Sequence, residues 1–182
     1  DKAVNFGMPA LALTDHGNMF GILKFYKEAK KRGIKPLVGS EFYVAPGSRF
    51  KKGGSERGQK NAHMGFIAKD VTGYRNLIQL SSKSFLEGFY YKPRIDRKLL
   101  AKHSDGLIAT SACVQGEIPR FIIADRFQQA EKRALEYLEM FGQENFYLEL
   151  QHHPNIKEQE RANQGLLKIS RKYSIPIIAT ND

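Results

Sequence analysis

The residues able to do chemistry in this sequence gather where short apolar runs end. The run Ala10 to Leu13 delivers Thr14, Asp15 and His16 into Gly17 and Asn18. A carboxylate beside an imidazole suits metal binding, with neutral His as ligand and the carboxylate as ligand or orienter. The bland reading is an Asp that caps the next helix, with His16 solvated. Glu41 sits in the apolar stretch Leu37 to Val44, where a carboxylate is costly unless paired, exposed or bound to a cation. Cys113 closes the run from Gly106 and reads either as a soft metal ligand or as a small buried hydrophobe. Glu149 lies inside Phe146 to Leu150 with His152 and His153 just beyond, and Asp182 follows Ile175 to Thr180. His63 breaks the pattern by starting its run rather than ending it, and a lone strand His is more often structural than a ligand. Imidazole, carboxylate and thiol groups repeated at strand ends fit a multinuclear site for Zn, Mn or Fe, since in barrels the carboxyl-terminal rim carries the working residues.

The elements that must position these groups alternate strand with helix, which argues for parallel βα units and an α/β fold. Ala10 to Leu13 reads as a buried parallel strand, and Ile34 to Val44 as a strand broken near Gly39 and Ser40. Further strands are expected at His63 to Ala68, Gly106 to Cys113, Phe146 to Leu150 and Ile175 to Thr180. Helices are expected over Phe20 to Arg32, with Phe20, Leu23 and Ala29 on the core stripe, Val71 to Phe85, Ile95 to His103, Asp125 to Phe141 and Ile156 to Tyr173. Gln115 to Pro119 reads as a turn. Ala45 to Asn61 is rich in Gly, Ser, Lys and Arg and reads as a long mobile loop. Its Arg49, Lys51, Lys52, Arg57 and Lys60 either solubilise the surface or touch a phosphate backbone. Phe89 to Arg94 is an aromatic and basic connector that suits base stacking, core packing or a domain contact.

With 182 residues, 41% of them hydrophobic and 26% charged, the chain fits one soluble globular domain with a sizeable core. No apolar run approaches a membrane span. A single cysteine excludes an internal disulfide framework and suits a reducing cytoplasm. A net charge of +10 and a pI near 9.7 point to a polyanionic partner, nucleic acid above all, unless the excess lysine is only a solvated surface. The chain opens at Asp1 without a methionine and stops at Asp182 directly after an apolar run, so a fragment is expected.

Five stretches, Thr14 to Asn18, Gly39 to Val44, Ser84 to Asp96, Ser111 to Pro119 and Ile178 to Asp182, resemble the PHP (polymerase and histidinol phosphatase) domain family. The closest branch is the one that opens the alpha subunit of bacterial DNA polymerase III. Phe89 to Arg94 and Ala112 to Pro119 separate that branch from free-standing PHP phosphatases. The resemblance implies a distorted (β/α)7 TIM-like barrel, incomplete here at both ends, with up to three divalent metals at the strand ends. It assigns metal ligands to His16, Glu41, His63, Cys113 and Asp182, and a catalytic set of Asp15, His16 and Glu41 in which Asp15 is a supporting carboxylate. The His-x-His motif of the family's first strand would lie before Asp1, and a further His two residues beyond Asp182. The implied activity is metal-dependent 3′–5′ exonuclease proofreading beside a polymerase whose Mg-binding carboxylates lie downstream. The implied partners are DNA, a proofreading subunit and, through the rest of the protein, a sliding clamp. The alternatives are a metal-stabilised docking domain without turnover, or a free-standing phosphoesterase.

Overall fold

The computed structural model describes residues 1–52 and 60–181. Short apolar runs give seven strands: β1 (Ala10–Leu13), β2 (Lys35–Val44), β3 (Ala62–Ala68), β4 (Arg94–Ile95), β5 (Leu107–Thr110), β6 (Phe146–Gln151) and β7 (Ile177–Thr180). Helices α1 (Lys2–Asn5), α2 (Ile22–Lys31), α3 (Val71–Leu86), α4 (Arg97–Lys102), α5 (Glu117–Ile123), α6 (Phe127–Phe141) and α7 (Lys157–Tyr173) connect them. The strands form one mixed sheet in the order β1-β2-β3-β5-β6-β7, with β4 on the end of β2. Among the described residues this sheet stays open, with β1 and β7 at its edges, an incomplete TIM-like barrel.

Several expectations change here. The βα alternation predicts parallel strands throughout, but β3 runs antiparallel to both β2 and β5. Among the described residues no helix lies between β2 and β3, and an antiparallel neighbour needs no crossover. Strand β2 is not broken at Gly39. It pairs with β3 from Gly39 to Val44, and a Cβ at Gly39 would lie 2.4 Å from the Phe66 carbonyl oxygen, so glycine serves close backbone approach. Strand β1 is parallel to β2 but is not buried, because it is an edge with a partner on one side only. In α2 the buried residues are Ile22 and Ala29, whereas Phe20 and Leu23 face solvent. The Gln115 to Pro119 turn runs directly into α5, where Pro119 is accommodated because first-turn N–H groups have no intrahelical partner.

Helices α3, α6 and α7 fall where periodicity put them, whereas Ile95, expected to open a helix, pairs with β2 in β4, and α4 begins at Arg97. The Asp70 side chain accepts from Gly73 N–H and starts α3, and Asp96 does the same from Leu99 N–H for α4. Each such cap contributes about 1 kcal/mol. The core lies between the sheet and α3 to α7. Phe42, Phe66, Phe141 and Phe146 anchor it, with Phe66 in ring contact with Phe42 at 5.8 Å and Phe141 at 5.9 Å.

The described start of the 45–61 loop is anchored rather than mobile. The buried Arg94 donates to the carbonyl oxygens of Gly88, Arg49 and Lys51, while Arg49 N–H donates to Asp96.

Candidate metal centre

The candidate centre begins with how the segment after β1 is stitched to β2. Gly17, at φ +69°, donates its N–H to the Glu41 carbonyl at 2.7 Å, and Glu41 N–H donates to the Asp15 carbonyl at 3.1 Å. The buried Ser40 hydroxyl ties the same loop down by donating to the Asp15 and Asn18 carbonyls. These bonds extend the parallel pairing by one bridge, His16 to Glu41, and set the two side chains against each other.

His63 arrives from the opposite direction. Because β3 is antiparallel, its first residues lie at the carboxyl end of β2, with His63 paired to Tyr43 and Gly65 to Glu41. A histidine that starts its strand therefore reaches the same rim as one that follows its strand. Strand direction thus brings His63 beside Glu41 although it starts its own run.

Glu41 Oε1 lies 2.9 Å from His16 Nε2 and 2.6 Å from His63 Nδ1. Those separations suit ion pairs, yet the oxygen has no partner in hydrogen-bonding geometry and is buried. Ligand atoms from His16, Glu41 and His63 all fall within 4.8 Å of one another. Three lone-pair donors converging on a half-buried point, with one oxygen otherwise orphaned, form a donor set that a divalent cation would satisfy. The His16 side chain is 44% exposed against 13% for Glu41 and 17% for His63, so the centre is open on the His16 side. Burial opposes the charged form of His63, but Cys113 and Glu41 outweigh it and raise its pKa to about 9.

The remaining candidates sit differently. Cys113 is buried beyond the end of β5, not within it, after a left-handed turn at Ala112 (φ 57°). Its Sγ is 3.9 Å from His63 Nδ1 and accepts from Gln115 N–H, beside the convergent trio but outside it. The Asp15 carboxylate turns away to accept Gly21 N–H at the start of α2, and this residue supports Glu41 through its backbone carbonyl instead. His153 contacts Gln151, and His152 is exposed. Asp182 and Arg57 lie outside the described residues. Arg49 is held inward by Asp96 and Glu87, which removes it from any solvent-facing basic set. Lys52 and Lys60 are exposed, as is Lys51.

Sequence reasoning missed Tyr43. Its ring meets His63 edge-on at 5.1 Å and His16 at 6.4 Å, forming a wall of the centre. The available signal was period two, since Glu41 and Tyr43 share a strand face.

The PHP domain family model matches residues 1–153. The chain is 51% identical over its full length to a DNA polymerase III subunit alpha of Borreliella burgdorferi, and spans 16% of that protein. It is 50% identical over 96% of its length to the corresponding subunit of Thermus aquaticus, spanning 14% of it. Among solved structures, the fold is similar to a Bifidobacterium adolescentis protein described as a metal-dependent phosphoesterase. The TM-score there is 0.53 at 13% identity, covering 98% of this chain and 78% of the other. It is also similar to an amidohydrolase of Chromobacterium violaceum, with TM-score 0.55 at 15% identity, covering 100% and 79%. Family match, fold and rim chemistry agree: this chain belongs to the PHP domain family.

Proposed function

We propose that the chain is the metal-binding PHP region of a replicative DNA polymerase III alpha subunit, and that its centre hydrolyses phosphodiesters as a 3′–5′ exonuclease in the intact protein. The relatives support the first part. The observation that carries the second is the convergence of ligand atoms from His16, Glu41 and His63 within 4.8 Å of one another.

His16, Glu41 and His63 hold a divalent ion of Zn, Mn or Fe type, and Cys113 and Asp182 complete a centre of up to three ions. An ion held there would supply Lewis-acid polarisation of a phosphodiester and of water. The chain's own residues supply the rest. The Asp15 carbonyl and Ser40 fix the Glu41 backbone, Tyr43 buttresses both imidazoles, and exposed His16 leaves room for a phosphodiester. The protein works in the cytoplasm with DNA, a proofreading subunit and, through the rest of the polymerase, a sliding clamp. Mg serves the polymerase carboxylates outside this chain. Lys51, Lys52 and Lys60 extend the DNA track. Among the described residues, no helix is long and apolar enough to cross a membrane.

A second reading, a metal-stabilised brace without turnover, draws on the packing of His63 against Tyr43 and Cys113, which joins β2, β3 and the segment after β5. An exonuclease assay on the full-length protein with Mn²⁺ or Zn²⁺, beside its Glu41→Ala variant, separates the two. Cleavage lost in the variant supports catalysis. Stoichiometric metal without cleavage supports the brace.

A further inference from the structure

Outside the metal centre, a cavity of about 500 Å³ opens between the end of β2 with Pro46, the start of β3 with Lys60, and helices α4 to α6. Its charged lining is Lys60, Arg97, Arg120, Arg126 and Arg133 against one carboxylate, Glu117. That carboxylate is already committed. Its Oε1 takes Arg97 and Arg133, each at 3.2 Å, and its Oε2 accepts from the Tyr137 hydroxyl at 2.8 Å. Burial, reinforced by Glu117, pushes the Tyr137 pKa up, so the hydroxyl stays a neutral donor. Arg133 also pairs with Glu136.

Arg120 and Arg126 are the guanidinium groups left over. Arg120 donates only to neutral acceptors, the Lys60 carbonyl and the Gln115 side chain. Arg126 lies over the Phe121 ring, 5.1 Å from its centroid. Among the described residues neither has a carboxylate at ion-pair distance. Burial pulls the Arg120 pKa down, although Cys113 and Glu117 act the other way. Two guanidinium groups with no carboxylate partner among the described residues, set in a concave site, suit an oxyanion, and guanidinium is the side chain best matched to phosphate. The rest of the lining is apolar, through Val44, Pro46 and Phe121. A bare anion would leave that wall unused, and the volume falls within the range of small-molecule pockets.

We propose that this cavity binds a nucleoside phosphate, with Arg120 and Arg126 on the phosphate oxygens and the sugar or base against Phe121. The ligand is either a free nucleotide or the phosphorylated end of a strand. This inference stands apart from hydrolysis at the metal centre. The two regions touch through Gln115, whose side chain accepts from Arg120 while its N–H donates to Cys113 Sγ.

Hydrogen–deuterium exchange on the full-length protein, without divalent metal, tests it. Peptides spanning Glu117 to Arg133 should gain protection with dAMP or a 5′-phosphorylated oligonucleotide, and none with deoxyadenosine. Protection by dAMP identifies a free nucleotide as sufficient, and protection by the oligonucleotide alone identifies a strand end. Arg126→Ala, at an exposed position, should weaken binding about 10-fold or more. Arg120→Ala should do the same, with circular dichroism confirming that it folds. Glu41→Ala should leave the protection unchanged, even if it abolishes nuclease activity. No protection, equal protection by inorganic phosphate, or an unaltered affinity in Arg126→Ala overturns the proposal.

Discussion

Two carboxylates on this sheet, Glu41 on β2 and Glu149 on β6, have similar burial and opposite surroundings. Glu149 is enclosed by donors: the Thr110 and Thr180 hydroxyls and the Gln151 side-chain amide all reach its oxygens, and Ser111 fixes its backbone N–H. Glu41 faces two imidazoles and keeps an oxygen without a hydrogen bond. A buried carboxylate surrounded by neutral donors braces the sheet, because its desolvation is already compensated. One surrounded by other lone-pair donors fits a cation. Burial alone does not distinguish them; the chemistry of the neighbours does.

The largest expected effect comes from breaking the Glu41 side. Glu41→Ala should lower metal affinity and metal-dependent cleavage by at least about 100-fold, since losing even a supporting residue outside the ligands costs 10–100-fold. Metal content by mass spectrometry together with the exonuclease assay checks it. Undiminished metal binding would dissolve the distinction between the two glutamates.

Glu149→Ala should do the reverse. It should spare metal content but destabilise the domain by about 2–4 kcal/mol, by stranding Thr110, Thr180 and Gln151 in a buried site. Urea denaturation reads this directly.

Asp96 sharpens the contrast as a third case, a buried carboxylate held by a cation. Arg49→Ala should cost about 2 kcal/mol, because it leaves Asp96 without its guanidinium partner. Burial raises the Asp96 pKa, but the Arg49 and Leu99 N–H groups and the Arg49 charge outweigh it, so the folded value lies below the unfolded one. Its contribution is therefore present above the unfolded pKa of about 4 and lost as pH falls through the depressed folded value. Acid denaturation of Asp96→Asn should begin from a lower stability and show a shallower pH dependence there.

At His63 the sign is opposite. A folded pKa raised to about 9 from 6.5 gives the metal-free protein stability that is full below pH 6.5 and lost as pH rises through 9. Metal binding needs neutral imidazole, so uptake near pH 7.5 should release a proton and tighten towards pH 9. Titration in a weakly buffered indicator solution measures this, and Glu41→Gln should reduce the release.

The smallest effect is expected at the basic loop. Neutralising Lys52 and Lys60 should weaken DNA binding by several-fold and lower its salt slope by about 2. An unchanged slope would assign these lysines to solubility.

How much of this was legible beforehand differs by element. Helices α3, α6 and α7 and six of the strand positions followed from local pattern, because apolar periodicity acts within a few residues. His16, Glu41 and Cys113 stood out because reactive side chains at the ends of apolar runs are unusual, and the family resemblance added His63. Arg49 was misplaced among DNA-facing residues, since its partners Glu87 and Asp96 lie 38 and 47 residues away. The sequence by itself determined which side chains could act and where most strands and helices lie, though not α5 or β4. Tertiary structure decided the direction of β3, and with it whether His63 joins Glu41. It also decided which carboxylate met imidazoles and which met hydroxyls. Strand direction and cross-sheet neighbours depend on pairing between distant segments, and periodicity within a segment carries no information about that.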